Sequence, residues 1–109
     1  MLIAISSKGN EKQSLLDSHF GRCKYFYVYD TLKEQGKFIE NEGGKASGGA
    51  GIQAGNQIVE ESIDVVISGA IGPNASEILE KSNIKSYKAT SQTIEEILDL
   101  FNNNKLEEM

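Results

Sequence analysis

The clearest fold signal in this chain is the stretch Asp64-Val65-Val66-Ile67-Ser68-Gly69-Ala70-Ile71-Gly72-Pro73-Asn74-Ala75. Its first part, residues 64–68, predicts a short buried strand because its centre is continuously apolar. Gly72-Pro73-Asn74 then predicts the start of a helix, since proline is favoured in the first helical turn. A buried strand followed directly by a helix is typical of an α/β protein with parallel strands.

The same alternation of strands and helices continues on both sides of this stretch. The pattern predicts a strand at 2–6, a β-hairpin at 25–41, a helix at 52–63, a weaker edge strand at 84–89, and a last helix that Thr93 caps with Glu96 in the capping-box position. The two most apolar strands, 2–6 and 64–68, are expected to lie side by side and parallel in the centre of the sheet. The sequence therefore predicts an α/β fold: a mixed five-stranded sheet with one antiparallel strand and helices on its faces.

Composition bounds the domain organisation and the partners. With 109 residues the chain fits a single domain, 1–109, whose polar end at 102–109 is expected to fray. The net charge of −5 and the lack of Lys/Arg clusters exclude nucleic acid as a partner. No apolar run approaches the roughly 20 residues of a membrane span, and no signal peptide is expected before the first strand. A single cysteine excludes an internal disulfide and favours a cytoplasmic location.

The long polar loop after the first strand holds the only histidine and the only cysteine, in Ser18-His19-Phe20-Gly21-Arg22-Cys23. Imidazole and thiolate bind soft or borderline metals best, so His19 and Cys23 are candidate metal ligands. Arg22 between them is a candidate partner for an anionic ligand. Two ordinary alternatives stay open: a solvated surface histidine, and a cysteine that fills the core.

A glycine-rich segment at 43–51, with five glycines in nine positions, precedes the second helical pattern. Its spacing matches neither a phosphate loop nor a dinucleotide fingerprint, which leaves a mobile linker or a flexible lid. As a lid it would present the backbone N–H groups of Gly48, Gly49 and Gly51 to an anion. Gly72 and Asn74 open the next helix and offer the same kind of donor. Because ligands of such sheets bind at the carboxyl ends of the strands, all three loops are expected to meet there.

Three motifs in this order resemble the dinitrogenase iron–molybdenum cofactor biosynthesis family, which includes NifX-type accessory proteins and the C-terminal domain of NifB-type proteins. The motifs are Ser18-His19-Phe20-Gly21-Arg22, Gly48-Gly49-Ala50-Gly51-Ile52-Gln53-Ala54, and the stretch at 64–75 quoted above. The resemblance spans residues 1–101. It implies a three-layer α/β/α fold with a ribonuclease-H-like motif.

The resemblance also implies a function, which is to bind and pass on an iron–sulfur cluster or an iron–molybdenum cofactor precursor without catalysis. His19 matches the histidine proposed as cluster ligand in relatives, and Cys23 follows the motif. The implied partners are the metal cluster and the proteins that donate and accept it. An alternative from another class is an enzyme or sensor that binds a small phosphate-bearing ligand at the glycine-rich loop and the helix starts. A third is an interaction module in which the site has decayed.

Overall fold

The computed structural model describes all residues, Met1–Met109, as one mixed sheet with helices on both faces. The strands are β1 (Leu2–Ser7), β2 (Tyr25–Asp30), β3 (Gln35–Glu40), β4 (Val65–Ser68), β5 (Lys85–Lys88) and β6 (Glu107–Glu108). The helices are α1 (Ala50–Glu60), α2 (Pro73–Lys81) and α3 (Ile94–Asn102). Two short 3₁₀ turns lie in the connections, at Phe20–Arg22 and at Glu42–Lys45. None of the helices is long and apolar enough to cross a bilayer.

The strand order is β3-β2-β1-β4-β5-β6, so the two apolar strands lie in the middle of the sheet. Strands β1 and β4 pair in parallel with Ile3 opposite Val65, which confirms the predicted central pair. The hairpin of β2 and β3 is antiparallel, with Tyr25 opposite Glu40, and was also predicted. Strand β5 pairs in parallel with β4, and only the two-residue β6 lies beyond it. Its predicted place near an edge is therefore confirmed.

The sheet has six strands where the sequence predicted five. The additional strand, β6, falls in the segment 102–109 that was expected to fray, and it runs antiparallel to β5 with Glu108 opposite Tyr87. Among the five predicted strands, β2 is the one that opposes the parallel set of β1, β4 and β5, as predicted, and β6 adds a second antiparallel strand. No sequence pattern indicates β6, because its two residues are exposed glutamates, which have low strand propensity.

Alternating side chains of the central strands divide the core into two layers. On β1, Ala4 belongs to one apolar cluster while Ile3 and Ile5 belong to the other, as expected for a strand that is covered on both faces. The first cluster includes residues of α1 and α2, and the second includes residues of α3. This arrangement confirms the three-layer α/β/α fold.

The predicted capping box at the start of α3 is present. Thr93 Oγ1 accepts a hydrogen bond from the Glu96 N–H at 3.2 Å, and Glu96 Oε1 accepts one from the Thr93 N–H at 2.9 Å. These hydrogen bonds between Thr93 and the Glu96 carboxylate hold the pKa of Glu96 below its usual value of 4.5. Two donors at the helix start are thereby satisfied within the motif.

We expect Glu96→Gln to lower the free energy of unfolding at pH 7 and to have a smaller effect at pH 3. The folded pKa lies below the unfolded one, so the carboxylate stabilises the fold above pH 4.5 and this contribution is lost as pH falls through the folded pKa. Urea unfolding of both proteins at the two pH values measures the difference. Glu95→Gln is the matched control, because that neighbouring carboxylate takes no part in the capping box. Equal losses at both pH values would contradict the prediction.

Candidate functional site

Three loops meet over the carboxyl ends of β1 and β4, as the sequence predicted, and enclose an open cleft of about 510 Å³. We call it the His19 cleft. Its walls are the first 3₁₀ turn, the start of α1 and the loop from β4 into α2. Six of the predicted site residues line it: His19, Arg22, Gly49, Gly51, Gly72 and Asn74. The other two, Gly48 and Cys23, do not.

The side chain of His19 lies at the surface, 75% exposed, as predicted. Its ring Nδ1 is 3.2 Å from Ser18 Oγ and 3.6 Å from Asp17 Oδ1, and Asp17 Oδ1 also accepts the backbone N–H of His19 at 2.9 Å. No protein group contacts the other ring nitrogen, Nε2, within hydrogen-bond distance. A histidine held through Nδ1 with a free Nε2 is the usual arrangement of a metal ligand.

Sequence reasoning missed the part that Asp17 plays beside His19. The carboxylate is two residues before the histidine, and it serves as an acceptor for the loop backbone as well as a neighbour of the imidazole ring. The signal that could have found it is the Asp-x-His spacing, because an Asp side chain commonly accepts the N–H two residues further on.

The loop that carries His19 is fixed by backbone contacts to the next loop. The Ala70 N–H donates to Ser18 O at 2.7 Å and the Phe20 N–H donates to Ala70 O at 3.1 Å, on either side of His19. Phe20 is buried at 1% exposure and packs against Phe26 with ring centroids 5.3 Å apart. Hydrogen bonds and packing therefore fix the backbone on both sides of His19, while its ring remains accessible.

The starts of α1 and α2 both present free backbone donors at this cleft. Their N-cap residues, Gly49 and Gly72, have no side chain to accept from the first helical turn. No other protein group accepts from the turn either, at Ala50, Gly51 and Ile52 of α1 or at Asn74 and Ala75 of α2. Unpaired N–H groups at a helix start carry a partial positive charge. Since no carboxylate lines the cleft, it is suited to an anion.

Arg22 contributes the only full positive charge of the His19 cleft. Its Nη1 donates to the carbonyl oxygen of Ala46, which ties the first 3₁₀ turn to the loop before α1. The remaining guanidinium donors have no protein partner. Arg22 is thus held by one contact and keeps donors for an anionic ligand, the role that the sequence suggested.

The prediction of a flexible lid over 43–51 was wrong for both ends of the segment. At its beginning, Gly43 is buried in the second 3₁₀ turn, where its N–H donates to Asn41 Oδ1 at 3.0 Å. The Gln57 side chain of α1 accepts from the Glu42 N–H at 2.9 Å and fixes the same turn. At the other end, Ala50 and Gly51 are already helical. Only residues 46–49 remain outside regular structure.

We expect amide hydrogen exchange to divide this segment. The N–H groups of Gly43, Gly44 and Ala46 donate to protein oxygens and should be protected without ligand, whereas those of Ser47, Gly48 and Gly49 have no acceptor. Binding of an anionic ligand should change protection at 47–49 alone. Exchange measured residue by residue by NMR, with and without ligand, tests this. Uniform exchange from 43 to 49 would contradict the structure of the turn. Equal exchange at 47–49 with and without ligand would show that these residues do not act as a lid.

The structure contradicts the prediction that Cys23 is a metal ligand. Its side chain is 0% exposed, and the Sγ hydrogen donates to Phe20 O at 3.3 Å. Burial raises the pKa of the thiol to about 12, and the negative charge of Asp17 adds to the effect. A cysteine binds a metal as the thiolate, and its sulfur has to be accessible to the metal. Cys23 is instead a core residue, which was the alternative left open by the sequence.

The burial of the Cys23 thiol should make the free energy of unfolding depend on pH in the alkaline range. The unfolded thiol ionises near pH 9.0 and the folded one near 12, so unfolding releases a proton in this range. The raised folded pKa means that the contribution to stability is complete below pH 9 and falls as pH rises, by up to about 1.4 kcal/mol per pH unit. We expect the stability advantage of wild type over Cys23→Ala to shrink between pH 8 and pH 10.5 in urea unfolding. A constant difference, or fast alkylation of the folded protein at pH 8, would show an accessible thiol.

The chain offers no closed metal site. Nowhere do three or more His, Cys, Asp or Glu side chains converge in an arrangement that could hold a metal ion. Structural metal sites and resident iron–sulfur clusters normally take four protein ligands. A metal species bound at the His19 cleft would therefore have to bring most of its own ligands.

The fold and the site define a small α/β protein with an open, anion-accepting cleft and one exposed histidine at the carboxyl edge of its sheet. The chain belongs to the dinitrogenase iron–molybdenum cofactor family, whose model matches residues 1–104. The resemblance that the three motifs indicated is thereby confirmed.

Several proteins are similar to this chain over most of its length. An uncharacterized protein of Methanocaldococcus jannaschii, MJ0580, is 32% identical over 95 residues, which cover 84% of this chain and 80% of that protein. The apo orange protein from Desulfovibrio gigas superposes with a TM-score of 0.93 at 25% identity, over 99% of this chain and 92% of its own. A candidate NifB protein from Thermotoga superposes with a TM-score of 0.87 at 31% identity, over 98% and 91%.

Proposed function

We propose that this protein is a non-catalytic carrier that binds and passes on an iron–sulfur or iron–molybdenum-type cluster, or a precursor of one. The observation that carries the proposal is the His19 cleft, where one free imidazole nitrogen lies beside the uncapped starts of two helices. A sulfide-bridged metal cluster is commonly an anion with exposed metal atoms. Such a ligand would accept hydrogen bonds from the helix starts and a coordinate bond from His19.

The weakness of the site supports transfer rather than storage. His19 is the single exposed imidazole or thiol side chain of the chain, because Cys23 is buried. A cluster held by one side chain and by backbone donors can leave without breaking four metal–protein bonds. The cleft is also open to solvent, so an acceptor protein can approach the cluster. The partners of this function would be a donor and an acceptor of the cluster, in a reducing, cytoplasmic setting.

The family and the relatives support the same class of cargo. The family model is named for the dinitrogenase iron–molybdenum cofactor, and one relative is described as a candidate NifB protein. Another, at 25% identity and a TM-score of 0.73, is described as a candidate dinitrogenase of Methanocaldococcus jannaschii. These names concern the relatives, and they set the cargo that should be tried first on this chain.

Anaerobic reconstitution tests the proposal. The purified protein is incubated with ferrous iron and sulfide, desalted, and examined for bound iron, bound sulfide and charge-transfer absorption. We expect a brown species whose metal moves to an apo acceptor protein faster than it moves to solvent. Absence of bound metal after desalting would reject the carrier function, and metal that stays bound in the presence of the acceptor would indicate storage.

A second candidate function is binding of a small phosphate-bearing ligand, as an enzyme or a sensor. It is favoured by the donors of the two helix starts and by the lack of any carboxylate in the His19 cleft. Calorimetric titration with inorganic phosphate and with a nucleoside diphosphate distinguishes it from the carrier. Saturable binding of either compound that does not depend on His19 would favour this second function.

A further inference from the structure

A second cleft, which we call the charged cleft, lies beside the His19 cleft at the same edge of the sheet. It also measures about 510 Å³, and the end of β3, the start of β2 and the second 3₁₀ turn form its walls. Four cationic side chains line it: Lys8, Arg22, Lys24 and Lys45. Three carboxylates join them: Asp17, Glu40 and Glu42. None of the motifs discussed so far accounts for this surface.

The acidic and basic side chains of this cleft form no ion pairs with one another. None of the four cationic side chains is within 4.0 Å of a carboxylate oxygen, and the only basic side chain that any of the three carboxylates approaches this closely is the His19 imidazole, 3.6 Å from Asp17. Unpaired charges of both signs around one depression fit a ligand that itself carries ammonium and carboxylate groups. The cleft has one excess positive charge on a chain whose net charge is −5, so the matching ligand has a small net negative charge.

The size and the position of the charged cleft restrict the class of ligand further. Its volume lies in the range of pockets for small organic molecules, roughly 300–1,000 Å³. Two residues join it to the His19 cleft: Arg22 lines both, and Asp17 lines the charged cleft while its Oδ1 is 3.6 Å from His19 Nδ1. A ligand of several residues' length in the charged cleft could therefore place one group beside a metal bound at His19.

The metal ligand that the chain does not supply at the His19 cleft is a thiolate. The chain can supply one imidazole nitrogen to a cluster and no accessible sulfur, since the Cys23 side chain is 0% exposed and its pKa is raised to about 12. Iron in such clusters is held mainly by thiolates. A peptide thiol in the neighbouring cleft would provide the sulfur that the protein lacks.

We infer that the charged cleft binds a short acidic peptide thiol, and that the sulfur of this peptide coordinates the cluster that His19 holds. The second half rests on the proposed carrier function, whereas the first does not. On coordination the thiol gives its proton to solvent and its sulfur donates an electron pair to an iron atom in place of a solvent ligand. No electron is transferred, so the step needs neither an oxidant nor a reductant.

The first experiment measures peptide binding to the metal-free protein by calorimetry. Reduced glutathione, which carries one ammonium group, two carboxylates and a thiol, is the probe, and S-methylglutathione is its thiol-blocked counterpart. Both peptides should bind, because the cleft recognises their charged groups and the sulfur takes no part in binding to the metal-free protein. 2-Mercaptoethanol should not bind, because it has no charged group. Failure of both peptides to bind would overturn the inference, whether or not the protein binds a cluster.

Single variants locate the binding site. Lys24→Ala and Lys45→Ala should each weaken peptide binding about two- to fivefold, the usual effect of removing one exposed ion pair. Lys12→Ala is the matched control, because this exposed lysine lines neither cleft and should leave peptide affinity unchanged. Equal effects of all three would mean attraction by overall charge only, and would overturn the assignment to this cleft.

The second experiment repeats the anaerobic reconstitution with each peptide. Glutathione should increase the iron and sulfide retained after desalting, and S-methylglutathione should not. If both peptides bind but give equal retention, the coordinating role of the thiol is overturned while the carrier function stands. If no cluster is retained under any condition although the peptides bind, the carrier function fails and the peptide site stands by itself.

Discussion

Replacement of His19 by alanine is expected to remove most of the cluster binding and to leave the fold intact. The imidazole is the only histidine or cysteine side chain that the chain exposes at the cleft, so its loss should weaken binding by at least about 10- to 100-fold. The ring itself is 75% exposed, and truncation of an exposed loop side chain should change the free energy of unfolding by no more than about 0.5 kcal/mol. Iron and sulfide retained after reconstitution, together with urea unfolding, measure the two effects.

The conservative variant separates coordination from structure. His19→Cys provides a thiolate ligand at the same exposed position and should recover much of the retained cluster, whereas His19→Gln keeps a polar side chain and should not. If His19→Ala instead unfolds the protein and binding per folded molecule stays unchanged, the histidine has a structural role. The proposed function would then have to rest on the helix starts alone.

The central part of the fold could be predicted because its physical signals are local. Strands β1 and β4 are short and apolar on both faces, which forces them into the middle of a covered sheet. Proline in the first turn marks the start of α2, and the capping box of Thr93 and Glu96 marks the start of α3. The meeting of the three loops over the carboxyl ends then follows from the parallel pairing of β1 and β4.

Most of the errors concern contacts between residues that are far apart in the sequence. The glycine-rich segment was taken for a lid because glycine raises the cost of ordering a backbone. The Gln57 side chain accepts from the Glu42 N–H and fixes the turn from fifteen positions away, and no local pattern announces this contact. The Asn41 cap on the Gly43 N–H is local, and the Asn-x-Gly spacing could have indicated it. Cys23 is similar to the Gln57 contact, since it lies in a buried apolar cluster with residues of α1, α2 and β4 that are far from it in the sequence.

The charged cleft could not be foreseen for the same reason. Lys8, Lys24 and Lys45 are separated by sixteen and twenty-one positions, and they converge only because the ends of three strands and a 3₁₀ turn meet at one edge of the sheet. Viewed along the sequence, each lysine is an ordinary surface residue. Their significance comes from their common position and from the absence of ion pairs.

The second large effect is expected at Gly69, where the loop that carries His19 lies directly against the loop into α2. A Cβ atom at this position would stand 2.7 Å from Ser18 Cα and 2.8 Å from Ser18 Cβ, closer than such atoms approach one another. Ser18 Cα is a backbone atom, so no side-chain rotation can relieve this contact. The two loops would have to separate, at the expense of the hydrogen bonds that Ala70 exchanges with Ser18 and Phe20.

We therefore expect Gly69→Ala to lower the free energy of unfolding by about 1–3 kcal/mol, the usual cost of forcing a methyl group into closely packed structure. Gly72→Ala, three residues further on, is the matched control for stability, because a Cβ there meets nothing within 4 Å and should cost only about 0.5 kcal/mol, the penalty of alanine in place of glycine at an N-cap. The folded fraction of Gly69→Ala should also retain less cluster, since His19 moves with Ser18 away from the helix starts. Equal stability of the two variants would mean that the loops are not in close contact. Reduced stability with full cluster retention would mean that the position of His19 relative to α1 and α2 does not govern binding.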